Sequence, residues 1–278
     1  MKKFGKNQKQ LYDFVEWLYI GATAAAAFLG WVNSVKETDN WIAGRPVLWH
    51  VIDIAQKYSF YFYILVGLVI AFGYVYKRLG DPWVMEKLKF TLDQYQFKAF
   101  SASTAPTDHN RVTLFKHTEN CYFKKHWSAK ERLKPWGDCP RGSNFLVPFL
   151  RSGHLSQNTK AIFYAPDDSD KAEGVAALAW AKNRTVMQDN LPEMKASSGD
   201  VAVRKYAKRT NSNPDMVKKY IAEGRPLPRS IAAIPIESGG KIWGVVVLDS
   251  RDPQGVTDKA VNDYQVVIAL IGQLLEKA

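Results

Sequence analysis

The sequence predicts an α+β protein in which an N-terminal two-helix transmembrane hairpin is followed by a domain that alternates strands and helices. Two observations carry the first half: Trp17 to Val35 is a run of 19 residues without a charge, and Ser59 to Tyr76 is a second run of 18. At about 1.5 Å per residue each run is long enough to cross the hydrocarbon core of a bilayer. The third observation is the switch, from Arg111 onward, to short apolar runs with strand periodicity separated by turns and helical stretches. The expected organisation is a hairpin over 1–79 with spans at about 17–35 and 55–77, a helix and linker over 80–107, and a sensor domain over 108–278.

Aromatic residues border both runs. Trp17, Tyr19 and Trp31 sit near the ends of the first, a cluster from Tyr58 to Tyr63 opens the second, and Tyr74 and Tyr76 close it, as interfacial rings do. Pro46 suits a first helical turn and no proline follows until Pro82, so the second helix is expected to begin near Val47 and run unbroken into its span. A cleaved signal peptide is the rival reading, because Lys2, Lys3, Lys6 and Lys9 form a basic start. Asp13 and Glu16 interrupt the apolar stretch such a signal needs. Basic residues lie on the outer flanks of the two runs, with Lys77, Arg78, Lys87 and Lys89 after the second. Both ends are therefore expected in the cytoplasm, and the chain in the inner membrane. Gly21 and Ala25 form a small-xxx-small pair, a candidate oligomerisation face.

Asp81-Pro82 reads as a cap and first turn. Val84, Leu88, Leu92, Tyr95 and Ala99 follow at spacings that make one apolar stripe, with Leu88, Leu92 and Tyr95 the second candidate oligomerisation surface. The stripe serves equally for packing on the domain that follows. Ser101 to Thr107 is a linker.

In the C-terminal part, 111–117 and 160–165 read as strands, 171–182 as a helix, and Ile231-Ala-Ala-Ile-Pro-Ile236 and 241–249 as two strands joined by Glu237-Ser-Gly-Gly240. Thr257 caps a closing helix whose face is Val261, Tyr264, Ile268, Ile271 and Leu275. Gly244 marks a close approach of backbones.

The hairpin Ser230 to Ser250, followed by its helix, resembles that of the GAF family. Gly174-Val-Ala-Ala-Leu-Ala-Trp180 with Thr185-Val-Met-Gln-Asp189 resembles that family's central helix and next strand. The resemblance covers about 108–278. It implies a central antiparallel sheet flanked by helices, with a pocket on the face away from the terminal helices, roofed by loops and short helices. The Asn-Lys-Phe-Asp-Glu motif of the cyclic-nucleotide-binding members has no clear counterpart here, and no cysteine has a bilin-attachment context. Cys121 and Cys139 are too few for the cysteine set of the methionine-sulfoxide-reductase members. Two cysteines also rule out a disulfide framework and fit a reducing compartment.

Charge then points to a ligand class. The chain carries a net +11, and the segment 195–229 alone holds nine basic residues against three acidic ones. Arg204 and Lys208 share one helical face, with Lys205 and Arg209 alongside. These four, with Arg229, Tyr164 and Trp180, form the candidate ligand-binding set. Arginine grips a phosphate by paired hydrogen bonds and lysine acts as a point charge. A solvated face and contact with anionic lipid are the competing readings of the same run. A second basic stretch, 124–141, reads as a long loop edging the pocket.

No catalytic pattern emerges. His50, His109, His117, His126 and His154 lack metal-ligand spacing, there is no phosphate-cradling Gly-rich loop, and Asp167, Asp168 and Asp170 fit a turn. The expectation is a non-enzyme without cofactor or metal. Its cytosolic domain would bind an anionic small ligand, such as a cyclic nucleotide or oligonucleotide messenger, and drive self-assembly or membrane disruption by the two helices. That layout resembles bacterial antiviral membrane effectors. The alternative is an adaptor whose GAF-like domain only dimerises. Partners on either reading are the bilayer and further copies of the chain, with no duplex nucleic acid.

Overall fold

The computed structural model describes residues 6–42, 44–77, 81–101, 109–119, 144–153, 161–263 and 265–276. The predicted basic loop at 124–141, both cysteines and Tyr264 lie outside the described residues. The chain divides into two compact units, 1–86 and 87–277.

The first unit holds α1 (Lys6–Ser34), α2 (Pro46–Lys57) and α3 (Ser59–Lys77). The apolar runs of α1 and α3 pair antiparallel. Lys77 Nζ donates to Glu16 Oε1 at 3.1 Å at one end, and Asn33 Nδ2 donates to the Tyr63 hydroxyl at 3.3 Å at the other. Gly73 makes the approach possible, since a Cβ there would stand 2.9 Å from the Tyr19 ring. Both helices are long and apolar enough to cross a membrane. Their outward rows are bare: Phe60 is 68 % exposed and Leu68 63 %.

The unbroken second helix expected from Val47 is instead two helices, parted at Tyr58. The reason lies at the C-terminus of α1, whose last carbonyls have no partner within the helix. Gln56 Nε2 donates to the Val32 and Val35 carbonyls at 2.8 Å each, while Ile52 packs with Val32, Val35 and Ile42. These contacts hold α2 across the end of α1, whereas α3 follows its length.

The second unit is α+β. It contains most of α4 (Pro82–Ala99), then β1 (Asn110–Thr118), β2 (Phe145–Ser152), β3 (Phe163–Tyr164), α5 (Gly174–Lys182), β4 (Val186–Gln188), α6 (Asp200–Thr210), α7 (Pro214–Ala222), β5 (Ser230–Ser238), β6 (Lys241–Ser250), α8 (Asp258–Asn262) and α9 (Gln265–Leu275). The strands form one sheet in the order β3-β2-β1-β6-β5-β4, every pair antiparallel. The β5–β6 hairpin turns on Gly239 and Gly240 at φ +59° and +72°, the conformation a tight primed turn demands.

Sequence patterning did not show β2, because Pro148 interrupts it. The sheet accommodates that proline at an irregularity: Pro148 lies opposite Phe115, where the β1–β2 register shifts. The single closing helix expected after Thr257 is two short ones. Thr257 does cap the first, accepting from the Ala260 amide at 3.1 Å.

Alternation along β6 sends Val245 and Val247 into a cluster with α5, Phe115 and Ala233, and Val246 and Leu248 to the opposite face. The stripe on α4 is a correction to the expected oligomerisation surface. Leu88, Leu92 and Tyr95 are 0, 0 and 1 % exposed within their own chain, and the Tyr95 hydroxyl donates to the Ala260 carbonyl at 3.0 Å. Burial inside the protomer leaves them no area to offer a second copy. Gly21, by contrast, has no atom within 4 Å of where its Cβ would be, and Ala25 is half-buried.

Gly244 is as tight as its sequence context implies, for a Cβ there would lie 2.0 Å from the Phe115 carbonyl oxygen. Gly244→Ala is therefore expected to destabilise the second unit by about 1–3 kcal/mol. A denaturation midpoint unchanged from the parent would contradict this.

Candidate functional site

A cavity of about 490 Å³ lies on the sheet face that carries α5. This size is ordinary for a small-molecule site. Its floor follows from register and the period of two. On β1, Arg111, Thr113 and Phe115 face the same way. Arg111 lies opposite Asp249 of β6, and Thr113 lies between Val247 of β6 and Arg151 of β2. The floor thus grades from charged to apolar, ending at Phe115 and Phe163, whose rings meet edge to face at 5.4 Å.

The roof is α6 and α7. Val203, Tyr206, Ala207 and Val217 bury their helices against Leu191, while Tyr206, Thr210, Met216 and Tyr220 reach the cavity. Three hydrogen bonds fix this roof in place. The Tyr206 hydroxyl donates to the Pro228 carbonyl at 2.9 Å. Asn211, in the left-handed conformation at the end of α6, donates from Nδ2 to the Ala172 carbonyl at 2.6 Å and accepts from the Gly174 amide at 2.5 Å. Burial pushes the Tyr206 phenol well above its usual range, which keeps it a neutral donor.

The charges of the floor are not equivalent. Arg111 and Asp249 form an ion pair with side chains only 11 and 9 % exposed. Arg251 Nη1 lies 2.9 Å from His109 Nε2, and because guanidinium only donates, His109 accepts there. Arg151 differs. Its Nε is buried with no hydrogen-bond partner among the described residues. Burial lowers its pKa from the ordinary arginine value; nearby Asp249 opposes that shift and Arg111 adds to it. The guanidinium stays charged, and Asp249, the carboxylate that acts on it, is already bound to Arg111.

The residues expected to bind ligand are placed elsewhere. Arg204, Lys205 and Lys208 are exposed on the outward side of α6, the side away from Val203, Tyr206, Ala207 and Thr210. Arg209 is a staple, donating to the Asn190 and Asp189 carbonyls at 2.8 and 2.6 Å. Arg229 Nε reaches the Leu191 carbonyl at 3.4 Å. Tyr164 packs on Phe145 at 5.8 Å, and Trp180 stacks on His117 at 3.8 Å with the rings 10° from parallel. None of the seven lines the cavity. The predicted roof is present, but it turns its aromatic side inward and its cations outward. Among the described residues no cluster of three metal-ligating side chains occurs.

No family model matches the chain, and no curated protein matches it. Among solved structures it is similar to a type II free methionine-R-sulfoxide reductase from Thermoplasma acidophilum. Identity is 12 %, the overlap covers 68 % of this chain and 93 % of that one, and the TM-score is 0.36. It is also similar to the A. aeolicus nlh2 GAF domain in an inactive state, at 13 % identity, 69 % and 95 % coverage and a TM-score of 0.29. Overlaps this loose leave the chemistry of the cavity to rest on its own geometry.

Two outcomes follow. Asp249→Asn strips the counter-charge from Arg111 and is expected to cost about 3–5 kcal/mol of stability, read as a lowered unfolding midpoint. His117 lies below the ordinary histidine value of 6.5, chiefly through desolvation, with the Ala165 backbone, Asp167 and Glu119 pulling it upward. The unfolded chain therefore takes up this proton first as pH falls, so the contribution is full above about 6.5 and is lost below it. The midpoint is expected to drop between about pH 7 and 5, and His117→Phe to flatten that slope.

Proposed function

We propose that the chain is a membrane-anchored sensor whose second unit binds a small ligand bearing an oxyanion in the cavity roofed by α6 and α7. One observation carries the reading: Arg151 Nε is buried at the cavity with no hydrogen-bond partner among the described residues, while its neighbour Arg111 is neutralised by Asp249. A buried guanidinium N–H left unbonded is costly, and an anionic group offers the compensation. Phe115, Phe163 and Val247 supply an apolar wall for the body of such a ligand. A six-stranded antiparallel sheet with its cavity beneath short helices supports the GAF-like reading of the hairpin and central helix.

On this reading the site is one for binding, and among the described lining residues the one carboxylate, Asp249, is engaged by Arg111. The anchor is α1 and α3, whose bare apolar rows suit lipid. Both termini face the cytoplasm on this reading. A nucleotide messenger remains the leading ligand class, and assembly through the open Gly21 face the leading output, with antiviral membrane disruption as the corresponding role. The adaptor alternative, in which the GAF-like domain only dimerises, would have to use a surface other than Leu88 and Leu92, which are buried.

The test is a thermal-shift panel on full-length protein in nanodiscs, using cyclic mononucleotides, cyclic dinucleotides and phenyl phosphate. At least one is expected to stabilise the parent, Arg151→Gln to abolish that shift, and the pair Arg204→Glu with Lys208→Glu to leave it within twofold in affinity. Silence across the whole panel, or equal loss in both variants, rejects the cavity as an anion site. Recovery of the full-length chain in the soluble fraction without detergent rejects the anchor.

A further inference from the structure

Strand alternation gives neighbouring residues at one end of the sheet two different jobs. Arg111, Arg151 and Asp249 face the cavity. Their chain neighbours Asn110, Ser152 and Ser250 belong to the opposite face and are 3, 3 and 0 % exposed. This second set is where α4 is seated. The Ser152 hydroxyl donates to the Asp93 carboxylate, which also receives Lys89 from the preceding turn. Gln96 Nε2 donates to the Asn110 carbonyl at 3.2 Å, and Ser250 Oγ donates to Asn110 Oδ1 at 2.6 Å. The fit is close. At Gly153, φ +79°, a Cβ would lie 2.1 Å from the Asn110 carbonyl oxygen and 2.9 Å from Gln96 Cγ.

Resting on the reading that the cavity takes an oxyanion, we propose that occupancy of the cavity tightens the seat of α4 through Arg151 and Ser152, the last two residues of β2. These residues make the terminal pairs of the strand, opposite Thr113 and Val112. Without an anion, Arg151 Nε is buried and unbonded, and peeling the strand end lets water reach it. The same peeling withdraws Ser152 from Asp93. An oxyanion on Arg151 removes that incentive, so the end of β2 stays in the sheet and α4 keeps its hydrogen bond. Linkage makes the effect reciprocal: whatever loosens the seat weakens the ligand by the same factor. The helix so governed begins at Pro82, five residues after α3 ends at Lys77.

The experiment is hydrogen–deuterium exchange over residues 88–99 of the full-length chain in nanodiscs, with phenyl phosphate as the probe. Saturating probe is expected to slow exchange there by about fivefold or more. Ser152→Ala is expected to weaken probe affinity by a similar factor, although its side chain is on the far face, and to cancel the response of α4. Arg151→Gln removes the buried charge and is expected to slow α4 exchange with no probe present. If affinity stays within twofold of the parent in both Ser152→Ala and Asp93→Asn, and α4 does not respond, the coupling is overturned while the cavity stands as an anion site. If phenyl phosphate does not bind the parent, the ligand reading fails instead. Arg151→Gln then decides the coupling, which is overturned if α4 exchange is unchanged.

Discussion

Three strand residues at the polar end of one sheet face carry charge, Arg111, Arg151 and Asp249, and Arg111 and Asp249 cancel each other. Arg111 and Asp249 satisfy each other across the β1–β6 pair, so their burial costs less than that of either alone. Arg151, one strand over, has no such arrangement at Nε. Much of the surrounding structure follows from shielding this site. The roof helices are pinned by Tyr206 to Pro228 and by Asn211 to Ala172 and Gly174, and the apolar floor beyond Thr113 ends at Phe115 and Phe163. Low local polarity strengthens any compensating contact to Arg151 for the same reason that it makes the unbonded N–H expensive.

The first unit obeys a different constraint. Its two apolar helices touch along one line and leave large residues uncovered elsewhere, an arrangement suited to a solvent that is itself apolar. Each end of the pair carries a polar bond, Glu16 with Lys77 at one and Asn33 with Tyr63 at the other. The break at Tyr58 belongs to the same logic, because α2 satisfies the carbonyls of α1 through Gln56 and so leaves the line of α3.

Legibility in the sequence depended on whether a signal was local. The two apolar runs, the β5–β6 hairpin with its Gly-Gly turn, the constraint at Gly244 and the cap at Thr257 were all readable, because each is written in adjacent residues. Strand β2 was not, since Pro148 argues against a strand until the register irregularity opposite Phe115 is known. The ligand site was hidden by the same gap: Arg151 lies in that strand, and its meeting with Arg111 and Asp249 depends on pairings between distant segments. A clue did exist at Arg111, a charge placed in phase with Thr113 and Phe115. On α6 the density of cations drew the eye to Arg204 and Lys208, whereas the cavity uses Tyr206 and Thr210 on the other side of the helix. For α4 the stripe was correctly periodic, but periodicity does not say which partner buries it.

Among the described residues the sheet ends on both sides in very short strands, two residues in β3 and three in β4. A long unpaired border would invite two copies to zip together backbone to backbone. Clipping both borders to two or three residues leaves almost no template for such growth. High local concentration can then be tolerated without the chains fusing into extended β-aggregates.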